Sequence, residues 1–185
     1  MSSQIYVYQS IARAAKDHGT TKMFGLMGDA NLFMVDSFVR ECGGGFIPAA
    51  HEGSTILMAA AYAHVSGNVG VATVTHGPAL TNCVTTLVEA TRMHTPMVIL
   101  AGDTPVANPR HLQSIDQREL VKVTGAGFVQ LRSPATVTED VAQAFYRAQV
   151  ERRPIVLNMP ADFMWQETDH VTKILNVFTK PGGVA

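Results

Sequence analysis

The feature that most constrains the fold of this chain is a series of short apolar segments that alternate with segments of helical periodicity. Residues 69–75 read VGVATVT and residues 96–102 read PMVILAG, and neither segment contains a charged residue. Strands that are apolar on both faces belong to a parallel sheet that helices cover on both sides. We therefore predict an α/β fold with a six-stranded, mostly parallel sheet.

The remaining strands and helices follow from the same two patterns. The predicted strands are residues 22–28, 45–50, 69–75, 96–102, 127–131 and 153–160. The predicted helices are residues 5–18, 32–41, 54–65, 80–94, a short helix near residue 120, and 137–150. Residues 103–118 are polar and hold two prolines, which predicts a long loop of the kind that often carries function. We predict one domain over residues 1–165, and a tail with the start of an interdomain linker over 166–185.

The charge composition restricts the classes of partner. Charged residues make up only 16% of the chain, against about 25% in an average soluble domain. This low share predicts that a partner subunit or a second domain covers part of the surface. The net charge of -1 is unlike the basic footprint of a nucleic-acid binder, so we expect no nucleic acid as partner.

Neither the apolar segments nor the cysteines indicate a membrane protein or a zinc protein. No apolar segment approaches the length of a membrane span, and the N-terminus lacks the pattern of a secretory signal. We therefore expect a cytoplasmic protein that does not enter a membrane. The two cysteines, Cys42 and Cys83, lack zinc-site spacing and are expected to be reduced, buried thiols.

Polar residues follow four of the predicted strands. Ligands of an open parallel sheet bind at the carboxyl ends of its strands, so these residues are candidates for a site. They are residues 28–31, 51–52, 75–82 and 102–103. The third segment, THGPALTN, has a Gly-Pro turn that suits the start of a helix. That turn is either structural or a place where a ligand approaches the backbone, and no GxGxxG, Walker A or GxSxG pattern accompanies it.

Glu52 is the acidic residue that stands directly before a long apolar helix. One interpretation is electrostatic, because an acidic side chain is favoured near a helix N-terminus. The other is a partly buried carboxylate that holds or passes a proton. His51 beside it is more often a structural residue than a catalyst, and periodicity alone leaves both interpretations of Glu52 open.

Four stretches together resemble a known domain. They are FGLMGDANLFMVDSF, AAHEGSTILMAAAYAHVSGNVGVATVTHGPALTN with the segment that follows it, LQSIDQREL, and RRPIVLNMPAD. In this order they resemble the pyrimidine-binding (PYR) domain of thiamine diphosphate-dependent enzymes, in the branch of acetolactate synthase, pyruvate oxidase and benzoylformate decarboxylase. The resemblance covers residues 5–163. A flavodoxin-like nucleotide binder would share only the sheet.

The resemblance implies a role for Glu52. In the family, the glutamate at this position hydrogen-bonds N1′ of the aminopyrimidine ring and so promotes removal of the proton at C2 of the thiazolium. The activated cofactor then attacks the carbonyl of a 2-oxo acid. The implied activity is that of a lyase or transferase that decarboxylates a 2-oxo acid, ligates the product to a second carbonyl, or does both.

The resemblance also implies other site residues. Met27, Gly28 and Asp29 match a loop near cofactor and substrate, while Gly77 and Asn82 match the turn beside the pyrimidine. Gln113 matches a glutamine that reaches the reaction centre. His76 stands where acetolactate synthases have serine, and it is either a proton relay or a packed, hydrogen-bonded residue. Asp29 stands where those synthases often have glycine, so the substrate is expected to differ.

The chain lacks the second half of such a site. In the family a PP domain supplies the Mg²⁺ ligands in a GDG…N segment, and Gly28-Asp29-Ala30 and Gly102-Asp103-Thr104 do not fit it. The resemblance implies a PP domain of the same or another chain as partner, and a homodimer or tetramer. We expect a piece of a longer enzyme that is inactive alone. The alternatives are a stand-alone subunit of a two-subunit 2-oxo acid decarboxylase and a non-catalytic dimerisation or regulatory module.

Overall fold

A computed structural model describes residues 4–175 as alternating strands and helices. In chain order these are β1 (Gln4–Tyr6), α1 (Val7–Asp17), β2 (Lys22–Gly25), α2 (Leu32–Arg40), β3 (Gly45–Pro48), α3 (Glu52–Ser66), β4 (Gly70–Val74), α4 (Pro78–Thr81), α5 (Val84–Arg92), β5 (Met97–Asp103), α6 (Gln117–Thr124), β6 (Gly127–Gln130), α7 (Val137–Glu151), β7 (Pro154–Pro160) and β8 (Glu167–Asp169). Short 3₁₀ turns at Pro134–Thr136 and Ala161–Phe163 precede α7 and follow β7. Within the described residues, no helix is long and apolar enough to cross a membrane.

The main sheet has six parallel strands in the order β3-β2-β4-β5-β7-β6, which confirms the predicted fold class. Every residue of β4 and β7 is buried. Their uncharged sequences are therefore explained by burial on both faces, which removes the need for alternating polar residues.

Helices cover both faces of this sheet and build two apolar cores. On one face α1, α2 and α7 bury large side chains that include Ile11, Phe38 and Phe145. On the other face α3, α5 and α6 bury side chains that include Ile56 and Leu87. Burying one such side chain contributes about 1.5–3 kcal/mol, so the two cores hold the helices against the faces of the sheet.

The strand order places a topological switch point between β2 and β4. Strand β2 lies between β3 and β4, so the chain leaves β2 in one direction and leaves β4 in the other, toward β5. At such a switch point the two connections diverge and open a space beyond the carboxyl ends of the strands. The segments that follow β2 and β4 therefore border the natural ligand site of this fold.

The N-terminal helix is shorter than predicted, because its first residues form a strand. Gln4–Tyr6 pairs antiparallel with Glu167–Asp169, so α1 begins at Val7 rather than at residue 5. The segment predicted as a tail thus begins with a strand that packs on the domain. The predicted linker KPGGVA lies outside the described residues.

A second difference concerns the helix predicted over residues 80–94. It is interrupted after Thr81, and a new helix starts at Val84. Asn82 and Cys83 lie in the break. The helix after β3 in turn begins at Glu52, two residues earlier than predicted.

Side chains fasten the segment after β8 to α1. Ser10 Oγ lies 3.0 Å from Nδ1 of His170, and His170 Nε2 lies 3.1 Å from Oδ2 of Asp17. Thr172 donates a hydrogen bond of 2.7 Å to the same carboxylate oxygen. Ser10 is fully buried, so this Ser-His-Asp chain fixes the segment and offers no accessible nucleophile.

Candidate active site

Glu52 is the first residue of α3, at the carboxyl end of β3. The preceding residue, His51, has an extended backbone, and its Nδ1 accepts a hydrogen bond of 3.1 Å from the N–H of Gly53. This cap fixes the start of the helix and leaves the Glu52 side chain half-buried in the first turn. The helix dipole favours a carboxylate at this place.

Asn82 orients the carboxylate of Glu52 from the break between α4 and α5. Its side-chain Nδ2 donates a hydrogen bond of 2.9 Å to Oε2 of Glu52. The other oxygen, Oε1, has no hydrogen-bond partner among residues 4–175. A carboxylate with one oxygen anchored and one free is suited to accept a hydrogen bond from a ring nitrogen of a ligand.

The thiol of Cys83 lies beside this carboxylate. Burial raises the pKa of Cys83 to about 12, and the negative charge of Glu52 adds to the shift. The thiol is therefore neutral at physiological pH and forms an apolar neighbour of Glu52. Both cysteines are free: Cys83 is buried as expected, whereas Cys42 is only half-buried.

Asp29, Thr75 and His76 meet at the switch point, where the segments after β2 and β4 come together. The hydroxyl of Thr75 donates a hydrogen bond of 3.1 Å to Oδ1 of Asp29. Nδ1 of His76 lies 2.9 Å from Thr75 Oγ1 and 3.4 Å from Asp29 Oδ1. The side chain of His76 is 2% exposed, whereas that of Asp29 is 76% exposed.

A buried asparagine, Asn31, shapes the loop that carries Met27, Gly28 and Asp29. Its Oδ1 accepts a hydrogen bond of 2.8 Å from the N–H of Gly28. Its Nδ2 donates to the carbonyl of Leu26 at 3.2 Å and to Thr73 Oγ1 at 3.0 Å. These bonds hold the loop close to β4, and Met27 remains 47% exposed beside it.

The glycine turn after β4 packs directly on the long loop. Gly77 has φ 57° and ψ −112°, a conformation that side chains disfavour. A Cβ atom at this position would overlap the backbone carbonyl oxygen of Gln113. Only glycine therefore permits this approach, which brings Gln113 against the turn.

A buried amide network supports the turn from below. Gln117 Oε1 accepts a hydrogen bond of 2.7 Å from the N–H of Gly77, and its Nε2 donates to the carbonyl of Gly102 at 3.0 Å and to Asn158 Oδ1. Asn158 Nδ2 then donates to Asp103 Oδ2 at 2.6 Å and to Gln130 Oε1 at 3.0 Å.

Sequence reasoning did not single out Gln117 or Asn158. The signal for Asn158 is a lone amide inside an apolar strand.

The structure thus brings the sequence-predicted residues together in pairs at one edge of the sheet. These pairs are Glu52 with Asn82, Asp29 with His76, and Gly77 with Gln113. Met27 makes no polar contact there. Residues 4–175 contain no group of three or more His, Cys, Asp or Glu side chains placed to hold a metal ion.

A six-stranded parallel sheet with polar residues gathered at the carboxyl ends of its strands is the architecture of ligand-binding α/β domains. Residues 5–120 match the family model described as thiamine pyrophosphate enzyme, N-terminal TPP binding domain. The chain belongs to this family, as the sequence resemblance predicted.

Similar proteins are larger enzymes of the same family. The chain is 35% identical over 156 residues to a sulfoacetaldehyde acetyltransferase of Castellaniella defragrans. The matched region covers 80% of this chain and 25% of the relative. It is 29% identical over 160 residues to human 2-hydroxyacyl-CoA lyase 2, and this region covers 85% of this chain and 25% of the lyase. It is 29% identical over 166 residues to the acetolactate synthase large subunit of Lactococcus lactis, and this region covers 88% of this chain and 29% of the synthase subunit. The chain spans about a quarter of the length of these relatives.

Proposed function

We propose that this chain is the PYR half of a thiamine diphosphate-dependent enzyme that acts on a 2-oxo acid, by decarboxylation, carboligation or both. The observation that carries the proposal is the geometry of Glu52. Asn82 holds one carboxylate oxygen, the helix start favours the charge, and the second oxygen is free for a ligand.

The residues around Glu52 fit the aminopyrimidine end of the cofactor. The free Oε1 would share a hydrogen bond with a ring nitrogen of the cofactor, and the neutral, buried Cys83 adds no competing charge. When bound, the thiamine supplies a carbon nucleophile and an electron sink for the substrate carbonyl. Glu52 contributes by holding a proton between Oε1 and the pyrimidine N1′, a hydrogen bond that a partly desolvated site strengthens.

The remaining site residues divide between cofactor and substrate in this proposal. Met27, Gly28, Asp29, Gly77 and Asn82 line the cofactor side. Gln113 and His76 act as catalytic residues on the substrate side. Support comes from their placement, because His76 directly precedes the glycine turn and the carbonyl of Gln113 packs on that turn.

The diphosphate and its Mg²⁺ require a partner in this account. We propose that a PP domain of the same or another chain supplies the metal ligands, and that the assembly is a homodimer or tetramer. Helix α3 supports an interface, because it is apolar around most of its circumference. Leu57 is 44% exposed and Val65 is 90% exposed on this helix, which an adjoining subunit would cover.

The proposal is tested by turnover of 2-oxo acids with and without thiamine diphosphate and Mg²⁺. The sample is the complete polypeptide that contains this chain, or the chain mixed with a PP-type subunit. We expect cofactor-dependent release of CO₂ or formation of a ligated product, and a loss of at least about 100-fold in Glu52→Gln. Glu89→Gln is the matched control, since Glu89 is an exposed glutamate on α5. Absence of cofactor-dependent turnover with every 2-oxo acid, in an assembly that binds the cofactor, would favour a non-catalytic module.

A further inference from the structure

Four aromatic side chains form an exposed cluster beside the candidate active site. Trp165, which follows β7, meets Phe33 at 4.5 Å and Tyr8 at 5.2 Å between ring centroids, in both cases edge to face. Tyr6 stacks on Tyr8 at 5.6 Å. The exposed fractions are 53% for Trp165 and 42% for Phe33. Large apolar side chains that gather on the surface in this way mark a binding site.

Three of these rings wall a cavity of about 110 Å³. Tyr8 and Phe33 are inclined to each other by 50°, and Trp165 is inclined by 67° to Tyr8 and by 66° to Phe33. The rings therefore border the cavity from different sides. The buried side chains of Met34 and Met164 extend the apolar lining. Since a water molecule occupies roughly 30 Å³, the cavity has room for a group of about four heavy atoms.

Asp29 is the one charged residue that lines this cavity within residues 4–175. Its Oδ1 accepts the hydrogen bond of Thr75, whereas its Oδ2 has no hydrogen-bond partner in the described part of the chain. A carboxylate repels an anion, and a neutral apolar group would cover it without compensating its lost hydration. The lining is therefore matched to a cation.

The negative potential of this region extends to the ring of Tyr8. Burial raises the pKa of Tyr8, and the carboxylates of Glu41 and Asp36 add to the shift. Arg13 and Arg40 pair with these carboxylates, but neither arginine lines the cavity. The faces of aromatic rings attract cations electrostatically, so the rings and the carboxylates favour the same kind of ligand.

The lining also selects the kind of cation. Ammonium and guanidinium groups carry several N–H donors, and each donor that loses water needs an acceptor. Asp29 provides the only carboxylate, and the rest of the lining is aromatic or aliphatic. A quaternary ammonium group has no N–H to satisfy, so its methyl groups can contact the rings while its charge stays near the carboxylate.

We propose that this cavity binds the quaternary ammonium head of a small molecule, with Tyr8, Phe33 and Trp165 as walls and Asp29 as counterion. The nitrogen and methyl groups of a trimethylammonium head fit the volume of the cavity. Binding requires no covalent step and does not depend on the proposed function. Because Asp29 also contacts His76, the ligand lies next to the candidate active site.

The first test uses the fluorescence of Trp165, which is the only tryptophan of the chain and therefore reports directly on the cavity. The chain is titrated with choline and, separately, with the neutral analogue of choline in which carbon replaces the charged nitrogen. We expect a saturable change with choline, and binding of the neutral analogue that is at least about fivefold weaker. Equal binding of the two compounds, or no saturable change with choline, would overturn the proposal.

Variants then locate the binding. Phe33→Leu removes one wall and Asp29→Asn removes the charge, and we expect each to weaken choline binding by about fivefold. Phe128→Leu is the control for the ring, because Phe128 packs on the core at the opposite face of the sheet. Glu89→Gln, on the exposed face of α5, is the control for the charge. Both controls should bind like wild type, and wild-type affinity in folded Phe33→Leu and Asp29→Asn would exclude this cavity.

The last test establishes whether the cavity takes a free small molecule in the assembled protein. Saturation-transfer NMR with irradiation of the ring protons detects choline methyl groups that contact aromatic side chains. We expect transfer in the complete polypeptide that contains this chain, and loss of most of it in Phe33→Leu. Choline binding by the chain but not by the complete polypeptide would mean that another part of the enzyme fills the cavity, which would overturn the assignment. Turnover enters none of these readouts, so failure of this inference and failure of the proposed function are distinguishable.

Discussion

Asn82 Nδ2 and Glu52 Oε2 are joined by a hydrogen bond of 2.9 Å that connects the start of α3 to the break between α4 and α5. The bond links two segments that are 30 residues apart in the chain. A continuous helix through residue 82 would present a different face to Glu52, so the interruption and the orientation of the carboxylate belong together.

Replacing Asn82 tests this orientation. Asn82→Ala leaves Glu52 free to rotate, and we expect kcat and the affinity for thiamine diphosphate each to fall by about tenfold, the typical value of one hydrogen bond to a charged group. Calorimetric titration of the complete enzyme with thiamine diphosphate and steady-state assays measure the two effects. Asn68→Ala, on an exposed turn, is the control and should change neither. Wild-type affinity and kcat in Asn82→Ala would show that Glu52 needs no anchor.

A second prediction concerns the stability of the glycine turn. Gly77→Ala places a methyl group on the carbonyl of Gln113 in a conformation with positive φ, and we expect the free energy of unfolding to fall by about 3 kcal/mol. Gly67→Ala also has positive φ, but its Cβ would have open space around it. It should cost only about 1 kcal/mol. Urea denaturation of both variants measures the difference, and equal losses would show that the turn tolerates a side chain.

The third prediction concerns the amide of Gln117. Gln117→Ala leaves the N–H of Gly77 and the carbonyl of Gly102 without their buried partner. We expect a loss of about 2–4 kcal/mol in the free energy of unfolding, because each unsatisfied buried group costs roughly 1–3 kcal/mol. Gln149→Ala on the exposed face of α7 should change stability by less than about 0.5 kcal/mol. A loss as small as that of the control would mean that water replaces the amide.

Cys83 makes stability depend on pH in the alkaline range. Its pKa is raised from 9.0 to about 12 in the folded protein, chiefly by burial. Above pH 9 the unfolded chain loses the thiol proton while the folded protein keeps it, so stability falls as pH rises toward 12. Between pH 9.5 and 10.5 the free energy of unfolding should fall by about 1.2 kcal/mol more in wild type than in Cys83→Ala. Parallel pH profiles of the two proteins would contradict the burial argument.

The main sheet could be predicted from the sequence because its central strands are buried on both faces. The uncharged runs at residues 69–75 and 96–102 are β-branched and too short for a typical helix, which favours buried strands. The strand Gln4–Tyr6 escaped prediction, since its three residues pair with a segment far along the chain and Ile5 also fits a helical spacing. The break at Asn82 was missed for a similar reason, because the apolar residues on either side keep one helical pattern.

The candidate site was predicted only in part. Glu52, His76 and Asn82 were found through the resemblance and their place after strands. The sequence alone does not show which of them touch, since Glu52 meets Asn82 and Asp29 meets His76 only through the strand order. Gln117 and Asn31 act through backbone groups, and nothing in a polar side chain predicts which backbone group it will bind.

The most direct test of the central claim is the exchange of the C2 proton of bound thiamine diphosphate with deuterium, followed by NMR after rapid quenching. The sample is the complete enzyme with Mg²⁺ at saturating cofactor, as wild type, Glu52→Gln and Glu89→Gln. We predict that Glu52→Gln slows exchange by at least about 100-fold, because an amide cannot exchange a proton with the ring nitrogen as a carboxyl group can, while Glu89→Gln exchanges like wild type. Exchange in Glu52→Gln at the wild-type rate would contradict the role of Glu52, and with it the account of this site.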